Sequence, residues 1–211
     1  TASTLANGTN VITWNWSGLS AGTKGLIFGG TDILVNGITI GFGKYQGSNT
    51  NLAFGIYALN NNISGLYNTA IGSNALNKLT SGLSNIAIGE ASLYSLTNGA
   101  QNIGIGRQSL NATVSGTENI GIGDFSLTSM GTAYSNVAIG KNALYHLNTG
   151  NYNVAIGSSA LVATKGGNNT GIGYNVGSNL TTGTNNTIIG FNTGLGITTG
   201  GKNTIIGANV S

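Results

Sequence analysis

An asparagine recurs every 17 residues along most of this chain, and no other feature constrains the fold as tightly. Asn51, Asn68, Asn85, Asn102, Asn119, Asn136 and Asn153 are 17 apart; after one step of 16 the row resumes at Asn169, Asn186 and Asn203. Four positions after each stands a glycine: Gly55, Gly72, Gly89, Gly106, Gly123, Gly140, Gly157, Gly173, Gly190 and Gly207. A repeat this short is one small supersecondary unit that cannot bury its apolar residues alone, so neighbouring units must stack.

With the asparagine as position 1, the unit carries Ile at position 4 (Phe54 once), Gly at position 5, a small residue at position 8 and Leu at position 9. The Leu series is Leu59, Leu76, Leu93, Leu110, Leu127, Leu144 and Leu161. Position 12 is semi-regular and apolar (Leu79, Leu96, Met130, Leu147, Leu180, Ile197), and most units close with a Gly at position 15, such as Gly65, Gly82 or Gly150. The pattern reads as strand, turn, second short strand, turn. Stacked in register, each strand pairs with its equivalents about 4.8 Å above and below, so ten units make a rod of roughly 48 Å. The expected fold is all-β: a parallel β-solenoid or β-roll of about ten 17-residue coils over residues 51–211. The β-branched Ile71, Ile88, Ile105, Ile122, Ile139 and Ile156 suit a strand. Alternation puts each on the face of the residue two before it, which is read as the inner face.

The repeat glycine reads as a bend with positive φ, or as a close approach of two backbones that excludes a Cβ. The asparagine has two compatible structural readings, a left-handed turn residue and a stacked amide ladder, with a ligand-facing row as the minor alternative. The pattern leaves open whether such a ladder points inward or outward.

Residues 1–50 have a different texture. In Val11–Trp16, Ile12, Trp14 and Trp16 share one face of an alternating strand, and Ile33–Val35 and Ile38–Ile40 are further short strands. Solenoids need terminal caps, so this segment is assigned as an N-terminal β cap, with an attachment or oligomerisation module as the functional alternative.

The units Asn136-Val-Ala-Ile-Gly140, Asn153-Val-Ala-Ile-Gly157 and Asn68-Thr-Ala-Ile-Gly-Ser-Asn-Ala-Leu76 resemble the repeats of bacteriophage tail-fibre proteins, whose arrays also follow a segment similar to Asp32–Gly41. They are similar as well to the head repeats of trimeric autotransporter adhesins. The resemblance covers residues 32–211 and implies a left-handed β-roll, assembled as a homotrimer and serving attachment to a cell surface, on a virion or at an extracellular face. The 17-residue period differs from the adhesin repeat, and these residues carry no heptad stalk or membrane anchor, which favours the phage-type likeness. A self-assembling extracellular filament, joined through residues 1–50, and an adhesin head are the alternatives.

Composition removes most chemistry. Charged residues are 5% of the chain, against roughly 25% in ordinary soluble domains, and Pro and Cys are absent. Disulfide scaffolds, Cys-ligated zinc and thiolate nucleophiles are therefore excluded. The bases Lys24, Lys44, Lys78, Arg107, Lys141, Lys165 and Lys202 are strung singly, so nucleic acid is not an expected partner. No apolar run has the roughly 20 residues of a membrane helix. Glu90 and Asp124 share the variable position 6, two units apart and roughly 10 Å if ladders align, which does not make a glycosidase pair. His146 is a lone turn histidine, and Gly104-Ile-Gly106 and its equivalents belong to the repeat rather than to a dinucleotide loop. No enzyme, cofactor or metal site is expected. An ice-binding Thr row (Thr69, Thr170, Thr187, Thr204) is broken by Ile and Val in the units between. Self-association and a cell-surface glycan are the expected partnerships. Tyr94, Tyr145, Tyr152 and Tyr174 are the candidate glycan contacts, against a preferred role in shielding coil edges or filling chain–chain contacts.

Overall fold

The computed structural model describes residues 33–35, 38–41 and 50–210. They form one sheet of twelve strands in sequence order. β1 (Ile33–Val35) and β2 (Ile38–Gly41) pair antiparallel, and β2 pairs antiparallel with β3 (Leu52–Gly55). The other residues of the expected 1–50 cap, Trp14 and Trp16 among them, lie outside the described residues.

From β3 onward all neighbours are parallel and in register, one strand per coil. β4 is Thr69–Ile71, β5 Ile86–Ile88, β6 Ile103–Ile105, β7 Ile120–Ile122, β8 Val137–Ile139 and β9 Val154–Ile156. β10 is Thr170–Ile172, β11 Thr187–Phe191 and β12 Thr204–Ala208. The pairing Ala70↔Ala87, Ala87↔Gly104, Gly104↔Gly121 follows the sequence repeat, and the step of 16 is absorbed without a slip: Gly171 still faces Ala155. The array is thus the parallel β-solenoid that the period predicts.

The expected second strand does not form. Positions 6 to 11 are turns, because positions 7 and 9 both take left-handed backbone: Ala91 has φ 52° and Leu93 φ 51°. Position 17 does the same, as at Gln101, φ 59°. Two left-handed residues two apart curl the chain back on itself, which no extended segment can do. Leucine pays about 1–2 kcal/mol for that conformation, and full burial of its side chain, worth about 1.5–3 kcal/mol, offsets the strain. Hydrogen bonding nevertheless runs around the coil: Leu93 N–H donates to Ser109 O at 2.9 Å and Ser95 N–H to Asn111 O at 3.0 Å.

The side-chain orientation of the strands is the reverse of the expected one. Positions 1, 3 and 5 face inward, and the Ile row at position 4 faces out with position 2; Ala87 is fully buried while Ile86 and Ile88 are half-buried. The reason is space. The coil is so narrow that Leu93 and Leu110 press against the strand: a Cβ on Gly104 would lie 3.2 Å from Leu93 Cγ, and one on Gly121 equally close to Leu110 Cγ. Only Ala or Gly fits at position 3 beside a Leu at position 9. Two of the three coils with Gly at position 3, those of Gly104 and Gly121, have Ser at position 8, while the Gly171 coil has Val176. Ser92 Oγ, from the coil before, donates to Gly104 O at 2.9 Å. The core is therefore a double row, Leu at position 9 and Leu or Met at position 12, under a lining of small residues.

Candidate functional site

Three surfaces follow from that coil: an interior amide row, an outward sheet face, and the turn edge over positions 6 to 11.

The asparagine row is interior. Asn102 Nδ2 donates to Asn85 Oδ1 at 3.0 Å and to Gly116 O, at position 15 of its own coil, at 2.7 Å. Its Oδ1 accepts the backbone N–H and the Nδ2 of Asn119, both at 3.1 Å. Each amide between the two ends of the row thus uses two donors and an acceptor twice, tying one coil to the next and the start of its own coil to its end. The same bonds join Asn51 to Asn68, Asn136 to Asn153, Asn153 to Asn169 and Asn186 to Asn203. None of these ten asparagines has positive φ; the left-handed residue is the one before, in nine of the ten from Tyr67 to Lys202, so the turn reading of the asparagine is corrected. A row consumed by internal bonds has nothing to offer a ligand.

The repeat glycines take φ between 124° at Gly123 and 148° at Gly207. A Cβ on Gly123 would sit 2.7 Å from the Gly140 carbonyl carbon, so positive φ and close approach act together.

The sheet face presents two continuous rows. Position 4 runs Phe54, Ile71 and on to Ile206; position 2 runs Leu52, Thr69, Ile86 and on to Thr204. Leu52, Phe54, Ile139, Ile156 and Ile172 are exposed by more than a third. No charge interrupts either row. The four threonines of the suggested ice-binding row sit here at position 2, where Thr170, Thr187 and Thr204 are direct neighbours and Ile and Val in five coils separate them from Thr69.

The turn edge carries five of the eight charged residues among those described, and most of the aromatics. Position 6 holds Glu90, Arg107, Asp124 and Lys141 in four successive coils. Asp124 accepts the Arg107 backbone N–H at 3.0 Å and pairs with its guanidinium at 3.7 Å, while Arg107 lies over the Phe125 ring at 4.6 Å. Glu118, at position 17 on another side, accepts from Ser135 Oγ at 2.9 Å.

The four candidate tyrosines do not share a site. Tyr94 lies under the Lys78 ammonium at 4.8 Å. Tyr152 meets Tyr134 edge-on at 5.3 Å, and a hydrogen bond with that phenol, together with its electrostatic influence, holds Tyr152 above the usual tyrosine range. Tyr174 stacks on Phe191, one coil on, at 5.5 Å. Tyr145 lines a groove: edge-on to Phe125 at 6.4 Å and to His146 at 4.6 Å, it joins Lys141, Asn142 and Val162 around a space of about 400 Å³. His146 is shared with a neighbouring groove of about 540 Å³ that reaches Lys165. Sequence reading placed Lys141 and His146 as isolated turn residues and passed over Phe125 and Asn142. Their one common signal is that positions 6, 7, 10 and 11 of adjacent coils fall on the same edge.

Among the described residues no group of three or more His, Asp or Glu is placed to hold a metal ion, and no helix is long and apolar enough to cross a membrane. No family model, no curated protein and no solved structure matches the chain.

Proposed function

We propose that this chain is a non-enzymatic structural rod for surface attachment, a tail-fibre-like fibre in which copies of the chain associate as a homotrimer through the outward sheet face. The observation that carries the reading is the uncharged double row at positions 2 and 4. Ten rungs spaced about 4.8 Å make a band roughly 43 Å long. It is apolar at every rung of position 4 and at Leu52, Ile86, Ile103, Ile120, Val137 and Val154 of position 2, and a continuous exposed apolar row marks a contact surface where singly scattered residues do not. Its unbroken register from coil to coil suits a partner with the same rise per coil, which a second copy has by construction. The likeness of the repeats to tail-fibre arrays supports the assignment to attachment and the location on a virion or at a cell surface. A structural role is favoured by two of the three acids of the coils being tied up in the surface, Asp124 with Arg107 and Glu118 with Ser135.

The test is the mass of the native particle by light scattering, for the parent chain and for a variant with Ile122→Glu and Ile139→Glu. The expected result is a discrete species near three times 21.1 kDa that the double variant reduces to a monomer with an unchanged far-ultraviolet circular dichroism spectrum. Open-ended polymers would move the reading to an extracellular filament. A monomeric parent chain would remove the sheet face from the argument.

A further inference from the structure

We propose that the groove formed by Phe125, Lys141, Asn142, Tyr145, His146 and Val162 binds an acidic saccharide, a sugar ring carrying a carboxylate. The inference rests on the attachment reading for its class of ligand, but every group in it comes from one chain, so the site exists with or without a trimer.

The charge row at position 6 sets the sign. Glu90, Arg107, Asp124 and Lys141 alternate along four coils, and Asp124 turns towards Arg107 through its two contacts there. Lys141 ends the row, because position 6 of the next coil is Ser158, and it has no ion pair among the described residues. Lys165, in the adjoining groove, has none either. Two ammonium groups without an ion pair therefore lie on either side of His146, Lys141 on the turn edge and Lys165 just beyond it at position 13, and an anion is the ligand they complement.

The remaining polar groups are unspent. At position 7, Asn74 donates to Ser73 Oγ at 3.2 Å and Asn175 to Asn192 Oδ1 at 3.0 Å. Asn142, at the same position, makes no side-chain hydrogen bond to another described residue, and neither does the His146 ring, whose neighbour is the Tyr145 edge. In a chain that ties most of its amides from coil to coil, an amide, an imidazole and an ammonium around one hollow form a ready set of partners for hydroxyl and carboxylate oxygens.

The aromatic wall is held in place. Arg107 covers the Phe125 ring and Tyr145 meets its edge, so neither ring needs ordering when a ligand arrives. A groove of about 400 Å³ lies in the range of small-molecule sites and suits a sugar ring resting on Tyr145 and Val162. The carboxylate meets Lys141, and a second acidic unit along the rod meets Lys165.

The experiment is titration of the isotope-labelled chain, followed by nuclear magnetic resonance, with N-acetylneuraminic acid, a galacturonic acid trimer and, as the neutral match, a galactose trimer. The expected result is that at least one carboxylated sugar shifts the Asn142 and His146 side-chain signals while the neutral trimer at the same concentration leaves them in place. Lys141→Gln and Tyr145→Ala each weaken binding roughly tenfold or more, the first mostly at low salt. Tyr174→Ala, whose ring stacks on Phe191 elsewhere, leaves it unchanged. Equal response to the neutral trimer, indifference to Lys141→Gln, or no response to either acid overturns the proposal. Light scattering on the same samples separates the two readings: a monomer that binds ends the trimeric rod and keeps the site, and a trimer that does not bind does the reverse.

Discussion

Asn119 Nδ2 donates to Asn102 Oδ1 at 3.1 Å across the coil boundary and to Ala133 O at 2.9 Å within its own coil. One side chain thereby sets both the rise between coils and the closure of a coil. Because the amide is fully buried, its bonds are not replaced by water when it is removed.

Asn119→Ala breaks these bonds, orphans the Asn136 backbone N–H, which reaches Asn119 Oδ1 at 3.0 Å, and takes one acceptor, at 3.2 Å, from Asn136 Nδ2, which keeps Gly150 O and Tyr134 O. The expected loss is about 2–4 kcal/mol, the sum of a few buried hydrogen bonds with stranded partners. Asn148→Ala, on an exposed turn position, serves as the comparison and stays within about 0.5 kcal/mol. Denaturant unfolding of the two variants against the parent chain measures the difference. Equal stability of the two would show that the ladder is decorative.

Ile188 occupies the volume that leucine fills elsewhere. In its coil and the one before, position 9 is Gly194 and Gly177, and a Cβ on either would lie 2.8 Å from an Ile188 side-chain atom. Gly177→Leu alone is expected to destabilise by about 1–3 kcal/mol through overpacking. Adding Ile188→Ala, which restores the small residue at position 3, recovers part of that loss. A double-mutant cycle reads the coupling; additive effects would mean that the two positions do not compete for space.

Thr113 and Thr164 stand at position 12, where most coils have Leu or Met, and both hydroxyls are buried with no hydrogen-bond partner among the described residues. Thr113→Val keeps the shape and removes an unpaired polar group, so it should raise stability by about 1–2 kcal/mol. Ser109→Ala removes a bonded hydroxyl and should not, since Ser109 Oγ lies 2.9 Å from Ser92 Oγ. Midpoints of denaturant unfolding distinguish the two; a Thr113→Val chain less stable than the parent would mean that the hydroxyl is satisfied in solution.

The repeat made the stacking direction, the strand register and the glycine bends legible, because each follows from a residue type that recurs in every coil. Which face lies inside was not legible. Ile122 looks like a core residue and Gly121 like a gap, and only the width of the coil, set by Leu110 against Gly121, reverses that reading. The left-handed leucines were hidden for a similar reason: leucine is a poor residue for positive φ, and tertiary burial overrides its preference. The groove was harder still, since Phe125, Tyr145 and Val162 belong to three coils and become neighbours only when the 17-residue rise is applied to positions that do not repeat.

Tyr152 offers a test of the surface that needs no ligand. Its phenol titrates above the usual tyrosine value mainly through the hydrogen bond with Tyr134, with smaller contributions from that group's charge, from desolvation and from Glu118. A hydrogen bond given by the neutral phenol is lost on ionisation, so the neutral form is favoured and the midpoint rises. Tyr134→Phe removes both the hydrogen bond and the neighbouring charge, and should bring Tyr152 back towards about 10. Glu118→Gln should move it in the same direction by less. Ultraviolet difference titration of each variant, with Tyr152→Phe to assign the signal, checks the order. A larger shift for Glu118→Gln than for Tyr134→Phe would place the carboxylate, rather than the paired phenol, in control of this edge.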